Sequence, residues 1–527
     1  ILPLHSALSA REQRMVFQKP PTGKRKVILS TNIAETSVTI EDIVFVIDTG
    51  RVKEIRYDGA MRCTDLVETW ASRASTRQRC GRAGRVRSGT CFQLFSTATF
   101  TNEMREHQLP EIQRTPLEEL MLQICLLDIG TPTAVLQKTI EPPDANAIET
   151  ARKNLVSISA LSEGESQELT PLGFHLSALP MHPSVGKMII YASILRCIEP
   201  ILTVAAYMSV KSPFVAPFHK RQAAQIEKEK FACGNSDLLT VVQAFDAWNA
   251  VRTAGGRQAS RRFCHRHFLS ETTLMMMARL RDQYRRELAS LGFVDAHEGR
   301  TGANNDEDMW SRSAQNQRRA DNSRDIAVIK CAICAGLYPN VAQASKIPRR
   351  QGGSYTKFTT VEEIVALHPS SVNFSQKGFS ESWMLFTDKM KTSQVFLHGT
   401  TTVNPCPLIL FGGRLDYDFQ SKILTVDDWI HFKSSDVSAD VFELLREELD
   451  HILAERIRNP DGTEFLQDEI AIVDAICRLA RGETKYSEEL RILSAEALQS
   501  RQTESGAWLG KGRGRKGKTQ RLDIDSI

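Results

Sequence analysis

The sequence predicts a multidomain chain in three successive classes: an α/β unit, a helical unit and a β unit. Three observations predict it. Short β-branched runs alternate with helix-like or loop stretches over residues 1–100. Apolar residues then recur at helical spacing up to about residue 292, and short strand signals punctuated by Gly and Pro return from about 355 to 432. The chain is long enough for several cores, with 527 residues and 41% hydrophobic content. Its 67 Lys and Arg against 63 Asp and Glu leave a net charge of only +4, so any basic surface must be local. Eleven cysteines without framework spacing read as reduced thiols of an intracellular protein.

Taken in order, "ILPLH", "KVILSTN", "IVFVIDTG" and "TCFQLFS" are strand candidates, and their continuous apolar character suits a parallel sheet covered on both faces. Between the last two, "RVKEIRYDGAMRCTDLVETWAS" carries a "YDG" turn signal and predicts a projecting β-hairpin. Leu117, Leu120, Met121, Ile124 and Leu127 have helical spacing, with Gly130 as a stop. "ELTPLGFHLSALPMHPSVGKMII" has the turn-then-helix rhythm of a small winged-helix unit, and residues 187 to about 292 are helix-rich. No stretch reads as a membrane span: residues 188–208 are broken by Arg196, Glu199 and Pro200 and predict two buried helices. Met275 to Met277 read as core filler. Residues 295–324 are polar and aperiodic, which predicts a mobile insertion. "TTVEEIVAL", "SWMLFTDKM", "SQVFLHGTTTV", "PLILFGG" and "WIHF" are read as strands of a small β-barrel, followed by the helix "ADVFELLREELDHILAERI".

Two stretches carry chemistry. "QRCGRAGR", Gln78 to Arg85, places three arginines and two glycines in eight residues. If "STRQRCGRA" is helical, Arg79, Arg82 and Arg85, three apart, share roughly one face with Gln78, and a guanidinium fork suits phosphate. "VILSTNIAETSVTI", residues 27–40, ends a strand in short hydroxyl and amide side chains. The carboxyl end of a strand in an α/β sheet is where ligands bind, and such groups suit phosphate oxygens. Each stretch alone is as well explained by a turn or a solvated helix face. Together, after two different strands, they are far more specific.

These residues carry a resemblance. "STNIAETSVTI" resembles motif V, and "QRCGRAGR" motif VI, of the DEAH/RNA-helicase-A-type (DExH) superfamily 2 helicases. "LPLHSALSAREQRMVF" resembles the start of that family's second RecA-like domain, "TPLEELMLQICLLDIG" and "LTPLGFHLSALPMHPSVGKMII" its winged helix, "KSPFVAP" with "SDLLTVVQAFDAWN" its ratchet domain, and "LHPSSVNF" to "LILFGG" its OB-fold. The chain is most similar to the cytoplasmic DExH group that contains quadruplex-resolving and translation-linked helicases, which implies the cytoplasm rather than the nucleus. The implied fold is a partial RecA-like parallel sheet (1–100), a winged helix (101–180), a helical ratchet bundle (181–294), a polar insertion (295–325), an OB-fold barrel (326–435), C-terminal helices (436–500) and a basic Gly/Lys/Arg tail (501–527).

Site roles follow residue by residue from the resemblance. Gln78 would hold the attacking water, and Arg82 and Arg85 would stabilise charge on the γ-phosphate of ATP. Gly81 and Gly84 would allow close backbone packing there. Ser37 would sense that phosphate, Phe17 would stack on adenine, and Glu41 would approach the ribose where many relatives carry Asp. Thr31, Asn32, Thr39 and Ser6 would lie along the RNA backbone. The implied activity is ATP-driven 3′ to 5′ translocation and RNA unwinding, with an activating protein or a ribonucleoprotein as a further partner. No stretch is read as the phosphate loop GxxxxGK[ST] or as a DEAH carboxylate motif. Those groups, and most ligands of Mg2+, are expected on an upstream RecA-like domain, because the chain opens on "ILPLHS" and not on Met. Alone, these residues are expected not to hydrolyse ATP.

Leu238 departs from the His common in the family's "SDHLT", which puts a polar role there in doubt. Cys331 and Cys334 ("CAIC") and the "FCHRHF" stretch (263–268) are read as buried thiols and as packing, not as metal ligands. The tail "GKGRGRKGK" (510–518) is either a solvated end or an electrostatic RNA contact. Arg51, Lys53, Arg56 and Arg62 on the hairpin are either surface charge or nucleic-acid contacts. A second reading of the whole is a non-enzymatic RNA-binding adaptor, which would have no need of Gln78, Arg82 and Arg85 in register.

Overall fold

The structure is a computed structural model that describes residues 1–482, apart from 6–7, 9–12, 37–39, 59–62, 87, 163, 165–166, 218–219, 295–321, 349–353, 377, 392–393 and 459–466. The expected mobile insertion up to residue 321, residues 459–466 and 483–500 of the expected C-terminal helices, and the basic tail therefore lie outside the described residues.

The four N-terminal strands form and pair in parallel, as their apolar runs require. Leu2–Leu4 pairs with Ile28–Ser30, and Phe45–Asp48 with Thr90–Gln93. They make two separate two-stranded sheets, and Leu29, Phe45, Ile47, Phe92 and Leu94 are exposed. The expectation of cover on both faces is thus corrected: alternation along each strand buries Asp48 and leaves Phe45 and Ile47 outward.

The hairpin forms as predicted, Arg51–Asp58 against Cys63–Trp70. Its second strand also runs parallel to Asp388–Lys391, so the hairpin extends the C-terminal sheet by two strands. The Arg51 guanidinium sits 3.4 Å from the Trp70 ring centroid, and the Trp70 indole N–H donates to Glu103 at 2.8 Å. Arg62 lies outside the described residues.

Helices fill the middle of the chain. Pro183–Ile194 and Ile198–Met208 are buried almost throughout, which satisfies the run that hydropathy singled out at 188–208. Among the described residues no helix is long and apolar enough to cross a membrane. Asp237–Arg266 and Glu271–Ser290 are two long helices adjacent in sequence. Of the methionine run, Met277 is core and Met275 packs against it, but Met276 is exposed, so the core-filler reading holds for two of the three. Leu238 is fully buried, which answers the departure noted there: an apolar side chain serves the core. Cys331 and Cys334 are buried in the helix Ile326–Leu337, and burial pushes both thiols well up.

The β region departs from the sequence reading in three ways. "PLILFGG" is the helix Pro405–Phe411, with Pro within its first turn and five consecutive residues from Pro407 to Phe411 buried. A short apolar run buried on every side has no period to tell helix from strand. Val341–Pro348, unread in the sequence, is a strand paired with Ser354–Thr359. The expected OB-fold barrel is not closed: nine strands run in one open sheet, and Leu415–Asp418, Ile423–Val426 and Ile430–Lys433 form a separate three-stranded one.

One apolar cluster runs from Leu117 to Ala480 and joins the winged helix, helical bundle and C-terminal helices. A second fills the open sheet around Met384 and Leu397. Among the described residues, none of the buried members of either cluster precedes Leu117, so the N-terminal lobe is held by other means. The helical bundle and the β region are joined by Asp237, at the first turn of its helix. Its carboxylate accepts from Ser371 Oγ at 2.6 Å, Val372 N at 2.9 Å and Thr400 N at 3.0 Å. Beside it the rings of His368 and His398 stack at 4.1 Å.

Burial holds the imidazoles of His175, His368 and His398 below their ordinary value, with His398 and Lys228 adding to the effect at His368 and with Asp388 and Asp237 opposing it at His398. The fold favours neutral rings, so the unfolded chain binds more protons. Stability is complete above the unfolded pKa of about 6.5 and is lost as pH falls through it. The expected outcome is a Tm that drops between about pH 7.5 and 5.5. His398→Asn should flatten that slope, and an unchanged slope would refute the assignment.

Candidate functional site

The helix Arg73–Cys80 forms where the spacing predicts one, capped by Ser72, whose hydroxyl accepts from Ser75 N at 3.1 Å. Glu106 meets Arg73 at 3.2 Å and Arg77 at 2.7 Å, which fixes its outer face. It stops at Cys80, and residues 81–84 are turns. Arg82 and Arg85 therefore lie beyond the helix, so the expected shared helical face is corrected: Arg79 turns inward while its neighbour Gln78 is exposed. Glycine at 81, with low helix propensity, ends the run.

The turn brings the two motif stretches together. Arg79 Nε donates to Glu35 Oε2 at 3.0 Å and its Nη1 to Asp48 Oδ1 at 2.9 Å, while Arg82 Nη2 donates to the backbone carbonyl of Glu35. Both arginines thus hold the short helix Ile33–Thr36 that follows "ILSTN". Burial pulls the Arg79 guanidinium down, but its hydrogen bonds to Asp48 and Glu35 outweigh this and the net shift is upward. Arg82 is shifted downward, first by burial and then by the charge of Arg85. Two like charges close enough to repel are stabilised by an anion placed between them. Gln78 and Arg85 are exposed on this side, and Arg82 is half-buried.

A second grouping gathers around Lys26. Its ammonium donates to the carbonyls of Val16 at 2.8 Å and Gln18 at 3.1 Å, and pairs with Asp42 at 2.7 Å. This ties the single turn Met15–Phe17 to the loop of Glu41 and Asp42. Phe17 and Glu41 are both exposed. Thr31 N donates to the carbonyl of Leu4 at 3.1 Å, and the side chains of Thr31 and Asn32 are exposed just past their strand. Ser6, Ser37 and Thr39 lie outside the described residues.

Sequence reasoning missed the groups that build this lobe: Glu35, Asp48 and Lys26. The signal for Asp48 was present, an acid at the end of an apolar strand followed by "TG". Neither Gly81 nor Gly84 is packed tightly by this chain's own described residues. A side chain at Gly84 would meet nothing within 4 Å, and one at Gly81 only its own helix's carbonyls at 3.4 and 3.5 Å. Gly89 is the tight position, where a Cβ would lie 1.9 Å from the Ala83 carbonyl oxygen and 2.5 Å from that of Val44. Gly89→Ala should therefore cost about 2–3 kcal/mol by urea unfolding, and Gly84→Ala close to nothing. Equal stabilities would contradict this geometry.

A second correction concerns the phosphate-loop pattern. Residues 512–519, "GRGRKGKT", do spell GxxxxGK[ST]. The pattern acts only between a strand and a helix. Here it stands in a run of Gly, Lys and Arg outside the described residues, where composition alone accounts for it.

A cleft of about 530 Å³ opens between the helical bundle and the β region, lined by Arg221, Lys228, Ser212, Ser370 and the His368–His398 pair and also by the carboxylates of Asp237 and Asp388, the first of which pairs with Lys228 at 3.4 Å. Cations beside hydroxyls suit a sugar–phosphate backbone.

Five family models match in sequence order: a helicase conserved C-terminal domain over residues 1–87, a helicase-associated winged helix over 151–181, a ratchet-like helicase-associated domain over 182–271, an oligonucleotide/oligosaccharide-binding fold over 329–415, and a C-terminal domain of RNA helicases over 422–482. This chain belongs to the DEAH-type helicase family. It carries that family's C-terminal region. The helicase region is 38% identical over 491 residues to the ATP-dependent DNA/RNA helicase DHX36 of Mus musculus, covering 92% of this chain and 47% of that protein. It is 37% identical over 467 residues to the ATP-dependent RNA helicase DHX29 of Mus musculus, covering 87% of this chain and 33% of that protein. It therefore spans about half or less of the relatives it matches.

Proposed function

We propose that the chain is the C-terminal portion of an ATP-dependent RNA helicase, supplying the half of the nucleotide site that senses and stabilises the γ-phosphate. The observation that carries this reading is the junction at Glu35, where both motif stretches meet through Arg79 and Arg82. Gln78 positions the attacking water, and Arg82 and Arg85 neutralise charge on the transferring phosphoryl group. Phe17 stacks on the base and Glu41 accepts from the ribose, held together by Lys26. Ser37 reads the γ-phosphate. ATP would supply the phosphoryl group, and a bound Mg2+, whose ligands we place on a preceding RecA-like domain, would neutralise charge on its oxygens.

RNA follows Ser6, Thr31, Asn32 and Thr39 and then the cleft beside Arg221 and Lys228. Contact through the backbone entails weak sequence preference and a steep loss of affinity with salt. Closure of two RecA-like lobes on ATP, and reopening after hydrolysis, moves the strand 3′ to 5′. The chain by itself turns over no ATP, and the whole protein acts in the cytoplasm.

The test uses the full-length protein on RNA duplexes with a 3′ or a 5′ overhang. ATP-dependent unwinding from the 3′ overhang supports the reading. Unwinding from the 5′ overhang overturns the direction. RNA binding without stimulated ATP hydrolysis overturns the motor and leaves the adaptor.

A further inference from the structure

We propose that the groove between helices Asp237–Arg266 and Glu271–Ser290 docks an acidic protein segment that also carries apolar side chains. The groove encloses about 950 Å³. Its floor is Met275, Met276 and Leu280, and Met276 is 54% exposed. Its rim is Arg252, Arg257 and Arg279.

The rim arginines differ from their neighbours. Arg281 and Arg285 are both spent on Glu199, and Arg261 on Glu271 at 3.3 Å. Among the described residues, no carboxylate pairs with Arg252, Arg257 or Arg279, and Arg252 stands 5.3 Å over the Trp248 ring. The one carboxylate in the groove, Glu271, is already engaged by Arg261 and by Ser260 Oγ at 3.0 Å. The rim is therefore uncompensated positive charge above an apolar floor.

The backbone explains why the space is open. Gly256 has φ 65° and ψ −166°, a conformation essentially confined to glycine, and it breaks the long helix there. A Cβ at Gly256 would meet nothing within 4 Å. The groove is also remote from the Asp237 junction. Arg252 lies fifteen residues further along the helix, roughly 22 Å at about 1.5 Å per residue.

The lining chooses between two kinds of macromolecule. Single-stranded nucleic acid is gripped by aromatic platforms as well as by cations, and no aromatic ring is among the lining residues. A thioether and leucine floor instead takes apolar side chains of varied shape, and unpaired guanidinium forks take carboxylates in pairs. Neither feature depends on the nucleotide chemistry proposed above, so the two readings fail separately.

The experiment selects short random peptides displayed on phage against the 527-residue chain, with the double variant Arg257→Glu/Arg279→Glu as counter-target. Peptides combining Asp or Glu with Leu, Phe or Trp should be enriched on the wild type. Synthetic copies should bind the double variant about tenfold or more weakly by fluorescence anisotropy. Met276→Ser should weaken them several-fold. Tm and affinity for oligo(U) RNA should be unchanged in both variants, since the substituted side chains are exposed. Failure to enrich such peptides would overturn the proposal. So would an equal loss of oligo(U) affinity in the double variant, which would assign the groove to nucleic acid.

Discussion

Arg82→Ala in the full-length protein should lower the RNA-stimulated ATPase rate by roughly a hundredfold or more, which corresponds to about 2.7 kcal/mol of lost transition-state stabilisation. Folding should hardly change. The side chain donates to the carbonyl of Glu35, and such a bond is worth about 1 kcal/mol. RNA affinity in the absence of nucleotide should match the wild type. Arg82→Lys should recover little of the rate, because an ammonium keeps the charge but loses the planar fork. A variant that hydrolyses ATP at the wild-type stimulated rate would remove Arg82 from the γ-phosphate and with it the proposed half-site.

Arg79→Met should do the opposite, destabilising the lobe by about 3–5 kcal/mol while removing no group that touches nucleotide. The Asp48 side chain is only 2% exposed, and Glu35 13%. Without Arg79 both carboxylates stay buried with less compensation, and one oxygen of Asp48 already has no partner among the described residues. Because the lobe contributes no buried residue to the two apolar clusters, the loss should be local. Hydrogen exchange should quicken in Phe45–Asp48 and Thr90–Gln93 and stay slow in Pro183–Ile194. Uniform exchange across the chain, or unchanged exchange in the lobe, would rule out this role. The two arginines thus sit three residues apart and touch the same glutamate, one at its carboxylate and the other at its carbonyl, with separable consequences.

Legibility followed period and chemistry. The four parallel strands were readable because β-branched runs of four to eight residues bounded by turn signals have few other uses. The hairpin was readable from "YDG" between two alternating stretches. The helix at 73–80 was readable, but its end was not, since Gly81 inside an arginine run signals flexibility without saying where the ladder stops. "PLILFGG" was misread because complete burial erases the polar face on which periodicity depends. Gly89 looked like any loop glycine. Its need to be glycine comes from the Val44 and Ala83 carbonyls, which approach it only in the folded chain.

By itself the sequence determined which residue types were available for chemistry and in what order. These were a strand ending in small hydroxyls, an arginine-rich turn, an aromatic at 17 and an acid at 41. Those are local properties, set by side-chain functional groups and short spacings. Only the tertiary structure decided which of three similar arginines is structural. That choice depends on Asp48 and Glu35, which lie 31 and 44 residues away from Arg79. It likewise decided that the hairpin joins the C-terminal sheet, that the sheet stays open, and that a broken helix leaves an arginine-rimmed groove. Each of these rests on contacts between distant segments, and pattern within a segment carries no information about its partner.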